Sequence, residues 1–290
     1  MDRLDSFCRV AQAGGVTRAA KGNPARQSLY SRQIKDLEQF FGTELIRRKG
    51  RGVALTEAGE RLYLVARECF ASLSDFRNEC KGRPVEVVLG AGDSLIQWLL
   101  MPRLAELRGR IPNVRLKFLN LSTSDAVRRL ADGEIDFALV RKDAVASPLQ
   151  ARLLGVMHYS LFIPAALEAS AGRKNGLKLL GDLPLVTLEG EGSFRGELAA
   201  IAKKQGIQVN IEVECSSFPV AARAVAKGSV AAILPSIAAN DLRAAGVHEV
   251  TVPFLKNFER EMCLAWNERM SRIRPVLRHV GSVLAQVCRF

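Results

Sequence analysis

TRAAKGNPARQSLYSRQIKDL, residues 17–37, reads as a short helix, a break at Gly22-Asn23-Pro24 and the opening of a longer helix. On the second helix Tyr30, Ile34, Leu37 and Phe41 recur at spacings of four, three and four, which makes one apolar stripe. The other faces carry Arg26, Gln27, Ser28, Ser31, Arg32 and Lys35, with no acidic residue before Asp36. Asn23 suits an N-cap and Pro24 a first helical position. Two short helices joined by a tight turn, the second with a cationic and amide-bearing face, match the geometry that enters a major groove. Gln reads adenine bidentately, Arg reads guanine, and Ser or Lys holds phosphate. A solvated helix face has the same composition, so the flanking sequence decides.

Immediately downstream come FGTELI (41–46), RRKGRG (47–52) and VALT (53–56): a strand, a basic glycine-containing turn and a second strand. Such a wing, with Arg47, Arg48, Lys49 and Arg51 around its tip, lies naturally against a phosphate backbone. The N-terminal sixty or so positions resemble the LysR-type family of bacterial transcriptional regulators. The resemblance rests on Phe7, Val10, Ala11, Thr17, Ala19-Ala20, Gln27-Ser28, Ser31-Arg32-Gln33-Ile34, Leu37-Glu38, Gly42, Leu45, Arg47-Arg48, Gly52 and Leu55-Thr56-Glu57-Ala58-Gly59. It implies a winged helix-turn-helix whose DNA contacts are Thr17, Arg26, Gln27, Ser28, Ser31, Arg32, Lys35, Arg48, Lys49 and Arg51. Two positions depart from the family pattern. Asn23 replaces a usual Leu, so the turn is expected to be built differently, and Arg26 replaces a Ser or Thr, which either shifts the start of the recognition helix or adds a cation to its reading end.

Composition agrees with a polyanionic partner. The 290 residues hold 42 Lys and Arg against 30 Asp and Glu, a net charge of +12. Residues 1–83 carry 16 basic and 10 acidic side chains, the remainder 26 and 20, so the surplus is densest at the N-terminus. Ribosomal and membrane-surface proteins share such totals, so charge alone selects nothing. Asp2, Asp5 and Arg9 interrupt any leader-like apolar stretch, and no run of eighteen apolar residues occurs. Cys8, Cys69, Cys80, Cys215, Cys263 and Cys288 are scattered without a CxxC, which fits reduced thiols in a cytoplasm. A peroxide-sensing disulfide occurs in some relatives of the resembled family, but the separation of Cys215 and Cys263 does not suggest one here.

A first helix near residues 4–13, with Leu4, Phe7, Cys8 and Ala11 on one face, should complete a three-helix unit. From Glu57 a helix of about 22 residues would span about 33 Å. Leu62, Val65, Cys69, Ser72 and Phe76 keep a heptad-like spacing on it, and a lone molecule would expose Leu62, Val65 and Phe76. The resemblance implies a dimerising linker there. Lys81-Gly82-Arg83-Pro84 ends it. Beyond it, strands are expected over 85–91, 115–121, 137–141, 160–163, 185–188, 211–215, 231–234 and 262–266. Helices are expected over 98–108, 124–132, 193–204, 218–227, 235–244 and 274–287, an α/β pattern of mostly parallel strands. Family-like hand-overs at 132–139 and 226–235 extend the resemblance through the chain, and it implies a two-lobed fold of the type 2 periplasmic-binding-protein kind. The expected division is a head over 1–58, a linker over 59–82 and an effector domain over 84–290. Its first lobe would hold 84–161 and 253–290, its second 162–252, with crossings near Leu161 and Phe254.

No enzyme chemistry emerges. His158, His248 and His279 have no partner at metal spacing, no G-x-S-x-G or glycine-rich nucleotide pattern occurs, and no metal or cofactor is expected. Strand ends are followed by Gly92-Asp93-Ser94, Ser122-Thr123-Ser124, Arg141-Lys142, Glu189-Gly190-Glu191-Gly192-Ser193 and Ser216-Ser217. In open α/β sheets, ligands sit beyond the carboxyl ends of strands. Family position then implies Ser94, Thr123, Arg141, Phe194 and Ser216 as lining residues for a small polar or anionic effector. Arg141 suits a carboxylate, whereas Glu189 and Glu191 count against a multiply charged anion. The family also implies a dimer or tetramer on DNA, with ligand altering lobe closure. The competing reading is a cytoplasmic solute-binding or enzymatic α/β module with an incidental basic head.

Overall fold

The computed structural model describes residues 1–50, 52–168, 178–190, 193–204 and 206–290. Helices α1 (Asp2–Ala13), α2 (Val16–Ala19) and α3 (Pro24–Phe41) are followed by an antiparallel hairpin of β1 (Ile46–Lys49) and β2 (Gly52–Leu55). Phe7, Cys8 and Val10 of α1 bury against Ile34 and Leu37 of α3, and Leu45 closes that core. Asn23 caps α3, its side chain accepting the Arg26 N–H at 3.1 Å, with Pro24 next in line. Lys21 (φ 50°) and Gly22 (φ 77°) supply the reversal, so left-handed backbone and a cap build the turn that lacks a leucine. The apolar stripe of α3 ends early. Tyr30 is half-buried, but Phe41 is exposed and meets exposed Phe40 edge-to-face at 5.0 Å.

Thr56 starts the next helix, α4 (Glu57–Cys80), by accepting the Gly59 N–H at 3.0 Å and donating to the Glu44 carbonyl at 2.6 Å. Its 24 residues span about 36 Å at 1.5 Å per residue. Tyr63 and Ala66 bury in the head's core and Leu62 packs half-buried beside them. Leu62 therefore does not belong to an exposed seam, contrary to the heptad reading. The outward face carries Val65, Cys69, Leu73, Phe76 and Cys80 instead. No helix among the described residues is long and apolar enough to cross a membrane.

After α4 the chain forms β3 (Val85–Ala91), α5 (Asp93–Leu95), a π turn (Ile96–Leu100), α6 (Leu104–Arg110), β4 (Val114–Asn120), α7 (Thr123–Ala131), β5 (Phe137–Arg141) and β6 (Leu149–Met157). It continues through β7 (Tyr159–Pro164), α8 (Leu179–Asp182), β8 (Leu185–Leu188), α9 (Ser193–Lys204), β9 (Ile211–Cys215) and α10 (Phe218–Val225). It closes with β10 (Ala232–Pro235), α11 (Ala239–Arg243), β11 (Val247–Val250), β12 (Arg260–Asn267), α12 (Glu268–Ile273) and α13 (Val276–Val287). One lobe has a sheet in the order β4-β3-β5-β12-β6. The other joins β10-β7-β11 to β8-β9 through a parallel bridge between Leu185 and Ala231.

Four features differ from the sequence reading, the first of them because the strands lack a clean apolar alternation. β6 and β11 were not expected; both lie at sheet edges, and β6 presents four consecutive exposed residues. Both pair antiparallel, as do β12 with β5 and β10 with β7, so the sheets are mixed and not mostly parallel. The helix expected over 98–108 is interrupted at Met101-Pro102-Arg103, where proline lacks the N–H that a continuous helix needs. The chain changes sheet at His158 and returns at Glu259, a few residues from the expected crossings, because Tyr159, Ser160 and Leu161 already pair in the second sheet.

Candidate nucleic-acid interface and interlobe pocket

The head offers one coherent cationic surface. Arg26, Ser28, Ser31, Arg32 and Lys35 on α3 are exposed, and so are Arg48 and Lys49 on the wing. Among the described residues none of these Arg and Lys side chains has an acidic partner, so their charge is free for an external anion. Thr17 is exposed and its hydroxyl donates to the Gln27 side-chain carbonyl at 3.5 Å, tying α2 to the reading end of α3. Arg51 lies outside the described residues. Arg18 was not singled out from the sequence. It shares a groove of about 280 Å³ with Thr17, Arg48 and Gly52, and its guanidinium donates to the Gly14 carbonyl. Its only sequence signal is a cation beside Thr17.

Two further residues of the head, Glu38 and Gly52, shape this surface without facing it as cations. Glu38 accepts the N–H groups of Leu45 and Ile46 at 2.9 and 3.3 Å, fixing where the wing begins. Gly52 allows close approach: a Cβ there would meet the Gly14 carbonyl oxygen at 2.6 Å, beside the Val53 N–H bond to the same oxygen.

The five expected effector residues do not gather in one cavity. Arg141, at the end of β5, lines a pocket of about 370 Å³ with Asp143, Glu197, Glu259, Arg260 and Glu261. Phe194 does not line it; its ring stacks on Tyr159 at 5.1 Å, with Phe218 and Phe258 completing an aromatic cluster. Ser94 sits in the three-residue α5, Thr123 opens α7, and Ser216 is exposed beyond β9. None of these three side chains makes a hydrogen bond among the described residues; Ser122 and Ser217 do the capping. Glu191 and Gly192 of one expected turn lie outside the described residues.

In the pocket, Arg260 grips Glu197 with two bonds of 2.8 and 2.6 Å and donates to the backbone carbonyls of Asn257 and Glu259. That contact joins the returning crossing to α9 of the second lobe. Arg141 is held more loosely, 3.5 Å from Asp143. Lys142 reaches Glu261 at 3.1 Å, and His158 Nδ1 lies 2.9 Å from Glu259. Burial pushes the Tyr159 phenol up to about 12, against the opposing pull of Arg260 and Arg141, so it stays a neutral donor. Glu197, Glu259, Arg260 and Glu261 were invisible to sequence reading, since no local pattern joins β5, α9 and the second crossing.

Two further contacts couple the units. Trp98, from the π turn of the first lobe, is buried in the second lobe's core and donates its indole N–H to Asp241 at 3.0 Å. Arg274, buried, binds Asp75 of α4 at 2.6 and 3.1 Å, Asp136 at the start of β5, and the Glu86 carbonyl at 2.8 Å. Burial pushes the Asp136 carboxyl up, and Arg274 opposes it. As to thiols, Cys215 and Cys263 stand on different sheets and all six cysteines are free.

A winged helix-turn-helix head with unpaired cations, carried by a long helix on a two-lobed α/β domain, defines a DNA-binding protein with a ligand-binding module. Residues 1–60 match the bacterial regulatory helix-turn-helix protein family of lysR type, and residues 82–289 match the LysR substrate binding domain. The chain belongs to the LysR family of transcriptional regulators, and it is no enzyme. A probable nitrogen assimilation transcriptional activator of Synechococcus elongatus is 26% identical over 250 residues, covering 84% of this chain and 81% of that one. Full-length LysG of Corynebacterium glutamicum with bound effector Arg superposes with a TM-score of 0.67 at 19% identity, over 99% of this chain and 97% of that one. Full-length CbnR complexed with its target DNA gives a TM-score of 0.58 at 19% identity, over 99% of both chains.

Proposed function

We propose that this LysR-type regulator reads its operator through Gln27, Ser31 and Arg32 in the major groove. Thr17, Arg26, Ser28, Lys35, Arg48, Lys49 and Arg51 hold the backbone. The observation that carries this reading is the exposed cationic face of α3 and the wing, where Arg26, Arg32, Lys35, Arg48 and Lys49 have no acidic partner among the described residues. Its compartment is the cytoplasm, where the DNA is, and its working form is a dimer or tetramer joined through the outward face of α4. A head over 1–58, a linker over 59–82 and an effector domain over 84–290 is the matching division of labour. A small polar effector enters between the lobes beside Arg141, with Phe194 stacked on Tyr159 outside the pocket lining. Ser94, Thr123 and Ser216 would reach it only from the polar turns around the cleft. LysG, similar in fold, is described with an arginine effector, which agrees with a compact polar ligand.

Selection of bound sequences from a randomised pool tests the reading. Gln27→Ala should relax preference at one base position by about 1–3 kcal/mol. Lys49→Ala should weaken all sequences alike and reduce the salt slope by about one. Equal losses of selectivity from both would sink the division.

A further inference from the structure

We infer that the interlobe ligand is a zwitterion of α-amino-acid type, an inference that rests on the effector reading above. The pocket of about 370 Å³ is at the small end of metabolite sites and presents two guanidiniums against four carboxylates. A purely anionic ligand would meet that acidic excess. Pairing decides which groups remain open. Both terminal nitrogens of Arg260 are engaged, Nη2 by the two oxygens of Glu197 and Nη1 by two backbone carbonyls. Glu261 is neutralised by Lys142 at 3.1 Å. Among the described residues Arg141 has one loose contact, at 3.5 Å from Asp143, leaving the far side of its fork available for a carboxylate. Among the described residues the salt-bridge partner of Glu259 is the His158 imidazole, so, unlike Glu197 and Glu261, it is not paired with an Arg or Lys. One open cation and one open anion in a single small pocket call for a ligand carrying both charges.

The arrangement also connects ligand to lobe geometry. Glu259 and His158 occupy the two crossings between the sheets, and their contact at 2.9 Å ties those strands together. A ligand ammonium on Glu259 competes with that tie, while a carboxylate on Arg141 anchors the other end in the first lobe.

The experiment is calorimetry and thermal melting of the full-length protein against the twenty α-amino acids and citrate, followed by the deaminated acid and decarboxylated amine of each hit. The expected result is a shift by at least one amino acid and at least tenfold weaker binding of both analogues. Arg141→Gln should weaken the amino acid at least tenfold. Glu259→Gln should do the same while erasing the preference over the deaminated acid. Circular dichroism and the ligand-free melting curve verify that both variants fold, and Glu259→Asp should restore part of the preference. If no amino acid binds, or the deaminated acid binds as well as its parent, the zwitterion inference is overturned. Citrate bound in an Arg141-dependent way would overturn it too, yet leave the interlobe effector site standing. An amino acid that binds wild type and both variants equally would remove the effector reading as well.

Discussion

An added Cβ at Gly59 would lie 2.0 Å from the Leu45 carbonyl oxygen, a backbone atom that has nowhere to go. The first turn of α4 therefore packs directly on the backbone that leads into β1, and Gly59→Ala should cost about 3 kcal/mol, the upper end of overpacking. Gly109, near the end of α6, has nothing within 4 Å of such a Cβ and an ordinary helical backbone. Gly109→Ala should instead be neutral or stabilise by about 0.5 kcal/mol. Urea unfolding of the two variants checks the contrast, and similar midpoints would contradict the packing argument. At this scale the sequence was informative wherever the chemistry is local. Asn23 acts on an N–H three residues away and Pro24 follows it, so that cap could be read directly. The role of Glu38 could not, because its partners are seven and eight residues on and across a loop.

The linker helix α4 has two faces with different work. Its outward face leaves Val65 and Phe76 52% and 64% exposed, with Leu73 between them, an apolar stripe that water does not favour. A Leu73→Asp, Phe76→Asp double variant should lose the linker-mediated dimer in sedimentation; unchanged mass would make the helix a mere connector. Its inward face is electrostatic: Arg274 joins Asp75 to buried Asp136, and Glu68 pairs with Arg269 at 2.9 Å. Arg274→Met should cost about 3–5 kcal/mol, because it strands the Asp136 charge in the interior. The variant loses the cation that pulls the Asp136 carboxyl down, so burial holds it higher still. A raised carboxyl favours folding in acid and loses that contribution as pH rises through its folded value. The deficit against wild type should therefore shrink between pH 8 and pH 5 in thermal melts. A constant deficit would assign Arg274 to packing alone. Heptad spacing located this helix, but Leu62 went to the wrong face, since the head's core captures it from the seam. The edge strands β6 and β11 escaped for a related reason: they show neither the alternation of a half-buried strand nor the continuous apolar run of a buried one.

At the scale of the whole molecule, the question is what holds two lobes together when, among the described residues, the chain crosses between their sheets at His158 and Glu259. The Arg260–Glu197 pair is one answer and Trp98 is the other. Its indole leaves the first lobe to pack among Phe162, Ala238 and Leu242 of the second. π turns such as the one carrying it recur at functional positions, because the extra residue redirects a side chain. No sequence signal announced this contact: Trp98 looks like any apolar residue of a helix, and Asp241 is 143 positions away. The indole N–H donates to a carboxylate, a bond of about 1.5–3 kcal/mol when dry. Asp241 is exposed, so solvent reduces it towards about 1 kcal/mol. Trp98→Phe keeps an aromatic ring in the second core and removes only that bond. The closed population should then fall by about fivefold relative to the open one, since 1.4 kcal/mol is a factor of ten. Small-angle scattering without ligand should show a larger radius of gyration, and interlobe ligand affinity should fall by a similar factor while operator contacts on α3 are untouched. A scattering curve identical to wild type, with a lowered melting temperature, would make Trp98 a core residue and leave closure to Arg260 and the ligand.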